Sequence, residues 1–181
     1  LCERILETTA ALGLNWKFRS LRYFNPVGAH PSGSVGENPL SRATNLFPVV
    51  MRVIAGADSH LSIYGDNFET EDGTGVRDYI HVCDIAAGHR MALQSLSKNS
   101  DYECVNLGTG RGYSVLEVIT AFEKLTGIDI PHRIAERRPA DPASSVADIS
   151  KANRFLGWEP RLGLADMVRD AMRWHTTTLR S

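Results

Sequence analysis

The chain has 181 residues, of which 43% are hydrophobic and 23% charged, enough apolar material for one globular core. Twenty Lys and Arg against 21 Asp and Glu leave a net charge of -1, which excludes bulk electrostatic attraction to a nucleic acid or a membrane surface; any anion must be held by local groups. Cys2, Cys83 and Cys104 are isolated and odd in number, which excludes a disulfide framework and fits a reduced cytosolic setting, and the chain shows no signal-peptide pattern, long apolar run or internal repeat.

Leu1, Ile5 and Leu12 form a helical pattern that stops at Gly13, with no capping residue ahead of it, so the chain reads as starting inside a helix. Trp16 to Phe24 is aromatic and apolar enough for a buried strand, in which Tyr23 is expected to be core. It runs into the Pro/Gly-rich loop Asn25 to Gly33, and loops that leave strand ends in open α/β sheets are where ligands bind. Asn45 to Ala55 is the next helix, with Asn45 as cap, Pro48 in the first turn and Gly56 as its stop. Leu61 to Tyr64 is a short strand.

Thr70 to Asp84 then passes from glycine loop to strand to helix. Val76 to Val82 reads as one extended segment, with Val76, Asp78, Ile80 and Val82 on one face and Arg77, Tyr79 and His81 on the other. Asp84 reads as the N-cap of a helix whose stripe is Ile85, His89, Ala92, Leu93 and Leu96. Taken alone, Arg77 is a surface residue paired with a carboxylate such as Asp78. Cys104 to Leu107 is a further strand, followed by Gly108-Thr109-Gly110-Arg111-Gly112, which imitates a dinucleotide fingerprint but lacks its third glycine position. Ser114 and Glu117 form a capping box, so the loop is read as a tight entry to a helix ended by Gly127. Ile130 to Ala135 is another strand, leading into the stiff cationic loop Glu136 to Pro142. A short helix stopped by Gly157 and a long one from Leu164 to about His175 complete the chain, with Trp158 and Trp174 as packing residues.

The fifteen-residue string Thr70 to Asp84 resembles a signature of the UDP-glucose 4-epimerases, the sugar-nucleotide branch of the extended short-chain dehydrogenase/reductases, and the resemblance runs from Glu3 to about Trp174. It implies an α/β fold: residues 1–30 as the tail of a Rossmann-type parallel sheet, and 31–181 as a smaller mixed α/β lobe that binds a UDP-sugar. It implies NAD as cofactor, with Phe24 from Leu-Arg-Tyr-Phe-Asn-Pro-Val-Gly-Ala against the nicotinamide and Asn25 near the sugar diphosphate. By the same resemblance Asn45 and Leu46 contact the nucleotide, and Ile63 and Tyr64 lie against uracil. Arg77 and Arg138 hold the diphosphate, at roughly 1.5–3 kcal/mol apiece, and Asp141 binds the ribose. The commonest family segment, Arg-Arg-Glu-Gly-Asp, departs here to Pro139 and Ala140. Ser145 stands where some epimerases carry a bulky Tyr, leaving room for an N-acetyl group.

The family takes a hydride from C4 of a UDP-hexose onto NAD and returns it to the other face. Its Gly-rich cofactor motif and Tyr-x-x-x-Lys pair have no match in this sequence; the Lys aligns about two residues upstream of Leu1. The chain therefore matches the C-terminal half of such an enzyme, which is commonly a homodimer. Alone it is expected to be inactive and to expose apolar surface on its first helix and strand. A non-catalytic sugar-nucleotide-binding module, and a UDP-pentose or UDP-uronate epimerase or decarboxylase, stay open as alternatives.

Overall fold

A computed structural model describes residues 1–38, 44–97 and 100–178. The element order is α1 (Cys2–Ala10), β1 (Phe18–Tyr23), β2 (Asn25–Val27), α2 (Leu46–Ile54), β3 (Leu61–Tyr64), β4 (Val76–Arg77), β5 (Tyr79–His81), α3 (Val82–Gln94), β6 (Tyr102–Leu107), β7 (Tyr113–Ser114), α4 (Val115–Thr126), β8 (His132–Ala135), β9 (Ser144–Ser145), α5 (Ser150–Leu156) and α6 (Leu164–Thr178). The pairs β1–β6, β2–β5 and β3–β8 are parallel, and the short β4 is flanked by antiparallel β7 and parallel β9. The α/β class is as expected.

The core divides at β5. Ile80 joins Ile85, Val105, Leu107 and Trp158 beneath α3 and α5, whereas Tyr79 joins Phe47, Val50, Ile63, Phe122 and Met167 between β3 and the helices α2, α4 and α6. Alternation along a strand sends neighbouring side chains to opposite faces. Tyr79, Ile80 and His81 are all buried for that reason, with packed material on both sides.

Several expectations need correction. The first strand is Phe18–Tyr23, partly exposed rather than buried, and Tyr23 is 46% exposed with its hydroxyl 2.5 Å from His89 Nε2. Val76 to Val82 is not one strand: the ladder is interrupted at Asp78, where the chain passes from β7 and β9 as partners to β2, and α3 begins at Val82. His81, not Asp84, caps α3, its Nδ1 accepting from Cys83 N at 3.0 Å. Asp84 lies in the first turn instead, and its Oδ2 accepts from the backbone of Arg161 and Leu162. The buried stripe of α3 is Asp84, Ile85, Gly88 and Ala92; His89 is exposed and Leu93 is 68% exposed. Ile130 is buried ahead of β8, which starts at His132.

The capping box of α4 is present in full, and Gly127 ends that helix in the left-handed region. Trp158 packs as expected, its indole N–H donating to Asp84 O at 3.0 Å, and Trp174 donates to Glu37 O. Leu1, Ile5, Leu12, Leu14 and Trp16 stand exposed along and after α1, the apolar surface anticipated for the first helix and strand. Among the described residues no helix is long and apolar enough to cross a membrane.

Candidate functional site

Strand alternation places the site. With Arg77 and Tyr79 on one face of the β4–β5 segment and Asp78 on the other, a guanidinium and a phenol turn towards β3 while a carboxylate turns towards the Gly108 loop. On the first side lies a cavity of about 490 Å³, whose lining includes Leu46 and Val49 of α2, Leu61, Ser62, Ile63 and Tyr64 of β3, and Asp58, His60, Phe68, Arg77, Tyr79, Arg138 and Asp141. The two arginines, distant in sequence, share one cavity.

They are held differently. Arg77 belongs to a strand flanked on both sides, in register with Tyr113 and Ser145; its Nη1 donates to Val76 O at 2.7 Å and its Nη2 to Asp141 Oδ1. Its carboxylate partner is therefore Asp141, which also lines the cavity, and not Asp78. Arg138 stands on the exposed loop after β8, its guanidinium 3.9 Å from the centroid of the Tyr64 ring. Arg137, next to it, lies 4.0 Å over Phe68 and donates to Asp141 O at 2.9 Å, which ties the loop down. Burial pushes the Tyr79 phenol up to about 12, with the Arg77 charge pulling the other way, so it stays a neutral hydrogen-bonding group at ordinary pH.

Asp78 shows what its neighbour's face does. Fully buried, it accepts through Oδ1 from Thr109 N and Thr109 Oγ1, both at 2.7 Å, and through Oδ2 from Gly110 N at 2.9 Å and Ala147 N at 3.1 Å. Its backbone carbonyl accepts from Asn25 N and Asn25 Nδ2, and its N–H donates to Ser145 O. One residue thus joins β2, the Gly108 loop and β9 around the base of Arg77. A Cβ at Gly108 would lie 2.6 Å from Asp78 Oδ2 and 2.5 Å from Ala147 Cβ, so the close approach needs glycine. The amide nest of this loop does hold an acidic group, and that group is the chain's own Asp78 carboxylate.

Of the residues expected at the site, Leu46, Ile63, Tyr64, Arg77, Arg138 and Asp141 line the cavity. Asn45 is the exposed N-cap of α2 but makes no side-chain cap bond, which leaves its amide available beside Leu46. Ser145 lies one strand over from Arg77 without lining the cavity. Phe24 and Asn25 are half-buried at the β1–β2 junction, and the Asn25 amide is engaged by Asp78 O at 3.1 Å, outside the cavity. Sequence reasoning missed Asp78 as a hub and Tyr79 as a cavity wall. The signal for Asp78 was present, since it is an acidic residue on the apolar face of its strand, alongside Val76, Ile80 and Val82.

The profile of the NAD dependent epimerase/dehydratase family matches residues 1–108, more than half of the chain. The chain belongs to this family. It is similar to the UDP-glucose 4-epimerase of Bacillus subtilis (strain 168), at 48% identity over 179 residues, 99% of this chain and 53% of that protein. It is also similar to that of Dictyostelium discoideum, at 50% identity over 175 residues, 96% of this chain and 51% of that protein. The chain thus spans about half the length of these family relatives.

Two solved family members superpose closely. The UDP-glucose 4-epimerase from Stenotrophomonas maltophila, with bound NAD and formylated UDP-arabinopyranose, gives a TM-score of 0.95 at 48% identity, covering 99% of this chain and 53% of that one. The enzyme from Bifidobacterium longum, in complex with NAD+ and UDP, gives 0.91 at 47%, covering 98% of this chain and 52% of that one.

Proposed function

We propose that this chain is the UDP-sugar-gripping, C-terminal half of a UDP-hexose 4-epimerase that interconverts UDP-glucose and UDP-galactose. The observation that carries the reading is the convergence of Arg77 and Arg138 on one cavity that also presents Tyr64, Ile63, Leu46 and Asp141. Two guanidiniums suit the two phosphates of a nucleotide, an aromatic at the cavity edge suits a base, and a carboxylate suits ribose hydroxyls. A grip concentrated on the nucleotide lets the hexose turn over between hydride removal and return, so binding free energy is placed where it does not oppose that motion.

NAD supplies the hydride acceptor in this reaction. The described residues do not make a dinucleotide cradle: the strand, glycine loop and helix that come nearest are filled by Asp78. Residues 1–30 would accordingly contribute to a cofactor domain completed by other polypeptide, with Phe24 towards the nicotinamide and Asn25 towards the diphosphate, and the catalytic Tyr and Lys supplied from outside these residues. The exposed apolar surface from Leu1 to Trp16 supports such a covering. A homodimer of the complete enzyme, and a reducing cytosolic setting in which Cys2, Cys83 and Cys104 stay as thiols, belong to the same proposal. So does acceptance of UDP-N-acetylglucosamine, since Ser145, one strand over from Arg77, is small where some epimerases carry a bulky Tyr; assay of that substrate with the complete enzyme is expected to show turnover.

Calorimetric titration of this chain with UDP and with NAD tests the reading. UDP is expected to bind and Arg77→Ala to weaken it at least about tenfold, the worth of one charge-assisted contact. Equal UDP affinity in Arg77→Ala would remove that residue from the site. In the complete protein both should bind, and UDP binding there without NAD would favour the alternative, a non-catalytic sugar-nucleotide-binding module.

A further inference from the structure

The cavity is closed on itself at its cationic rim. Arg138 and Tyr64 stand at the exits of two paired parallel strands, since Tyr64 is in register with Ala135 and Gly65 N donates to Ala135 O at 3.0 Å. Two arginine–aromatic stacks lie side by side there. Arg137 on Phe68 also bonds to the backbone of Asp141 and anchors the loop. Arg138 on Tyr64 anchors nothing: among the described residues no carboxylate pairs with it, and both members face the cavity, Tyr64 being 42% exposed. Arg138 can therefore leave the ring while the loop stays tied down by its neighbour.

We infer that Arg138 is a removable cap on the Tyr64 face, and that it makes base and diphosphate binding mutually reinforcing. The inference rests on the nucleotide reading of the cavity given above. A base needs the ring face that Arg138 covers, and a diphosphate needs the charge that Tyr64 holds. A nucleoside alone must displace the guanidinium with no phosphate to receive it. Pyrophosphate alone must strip the same cation from the ring and leaves the ring bare. A nucleoside diphosphate breaks the stack once and uses both halves, so each part of the ligand strengthens the other by the free energy of the stack, and by linkage the effect is reciprocal. A partly exposed cation–π contact is worth a factor of roughly two to five in affinity. The site would thus favour intact nucleoside diphosphates over their fragments beyond the sum of the contacts.

The test uses uridine, pyrophosphate and UDP as probes, with millimolar affinities read from NMR shifts of this chain and of two variants whose folding is checked by thermal melting. Arg138→Ala is expected to bind uridine roughly two- to fivefold more tightly than the wild type, and Tyr64→Leu to bind pyrophosphate more tightly by the same factor. In the wild type, saturating pyrophosphate should tighten uridine by that factor, and in Arg138→Ala it should not. A role in which each residue only contacts its own part of the ligand predicts unchanged or weaker binding in both variants. If UDP binds the wild type but neither gain is seen, or uridine fails to bind even Arg138→Ala, the cap is overturned and the nucleotide reading stands. If UDP does not bind the wild type, the nucleotide reading falls and the cap with it.

Discussion

The Gly108–Gly112 loop and the Glu136–Pro142 loop both leave a parallel strand, and both are built to hold negative charge. The first does so with backbone amides and is filled from inside by Asp78; the second does so with guanidiniums and borders an open cavity. Amides on a tight loop are fixed in place and can accept only an anion that the fold brings to within about 3 Å. A carboxylate from the adjacent strand arrives there as the chain folds. Arginines reach outwards on long side chains, so they remain available to a ligand even when resting on Asp141 or Tyr64. A glycine loop after a strand is thus not a ligand site unless its amides are free.

Emptying the filled loop should have the largest effect. Asp78→Asn replaces two acceptor oxygens by one and points an amide at donors that are already N–H groups. It is expected to lower stability by about 3 kcal/mol or more, read from urea denaturation, because hydrogen bonds to a buried charged acceptor are worth about 1.5–3 kcal/mol each. An unchanged midpoint would mean that the loop holds itself. Overfilling comes next. Gly108→Ala forces its Cβ against Asp78 and Ala147 and should cost about 2 kcal/mol, within the usual penalty for overpacking.

A buried histidine–aspartate contact outside both loops offers a reference in which a carboxylate is matched by a ring. His81 Nε2 lies 3.3 Å from Asp170 Oδ2, and both side chains are inaccessible to solvent. Burial lowers the His81 pKa below its ordinary 6.5 against the opposing pull of Asp170. Burial raises that of Asp170, but the Arg169 and His81 contacts outweigh it and leave a net lowering from 3.8. Both groups bind fewer protons folded than unfolded, so their stabilisation is complete above about pH 6.5. It is lost first as pH falls through the folded value of His81 and further, below pH 3.8, through that of Asp170. Denaturation between pH 7.5 and 5 should show a slope of at most about 1.4 kcal/mol per pH unit from His81, flattened in His81→Gln. An equal slope in that variant would assign the proton elsewhere.

The smallest effect sharpens the open loop. Ala140 has a φ of +59°, in the turn closed by Asp141 N to Arg138 O, where Pro139 precedes a residue that must take a positive φ. Ala140→Gly should therefore stabilise the chain by about 1 kcal/mol, since a left-handed L-residue costs about that much. A loss of stability would show the strain to be absorbed. Such strain beside Arg138 and Asp141 fits a loop shaped for its cavity.

Local chemistry settled a good part of this protein in one dimension. The β3 strand, the α4 capping box, the glycine stops at Gly127 and Gly157 and the burial of Trp158 follow from period, capping and turn preference, which act over a few residues. The alternation of Arg77 and Asp78 also followed from pleating alone. Which partner each of them finds did not: Asp141 for Arg77, and Thr109, Gly110 and Ala147 for Asp78, lie 31 to 69 residues away, and only chain packing selects among the carboxylates and amides on offer. The same holds for the exposure of Tyr23 and Leu93 and for the cap of α3. Each depends on what stands opposite a side chain, and that neighbour is set by the tertiary fold.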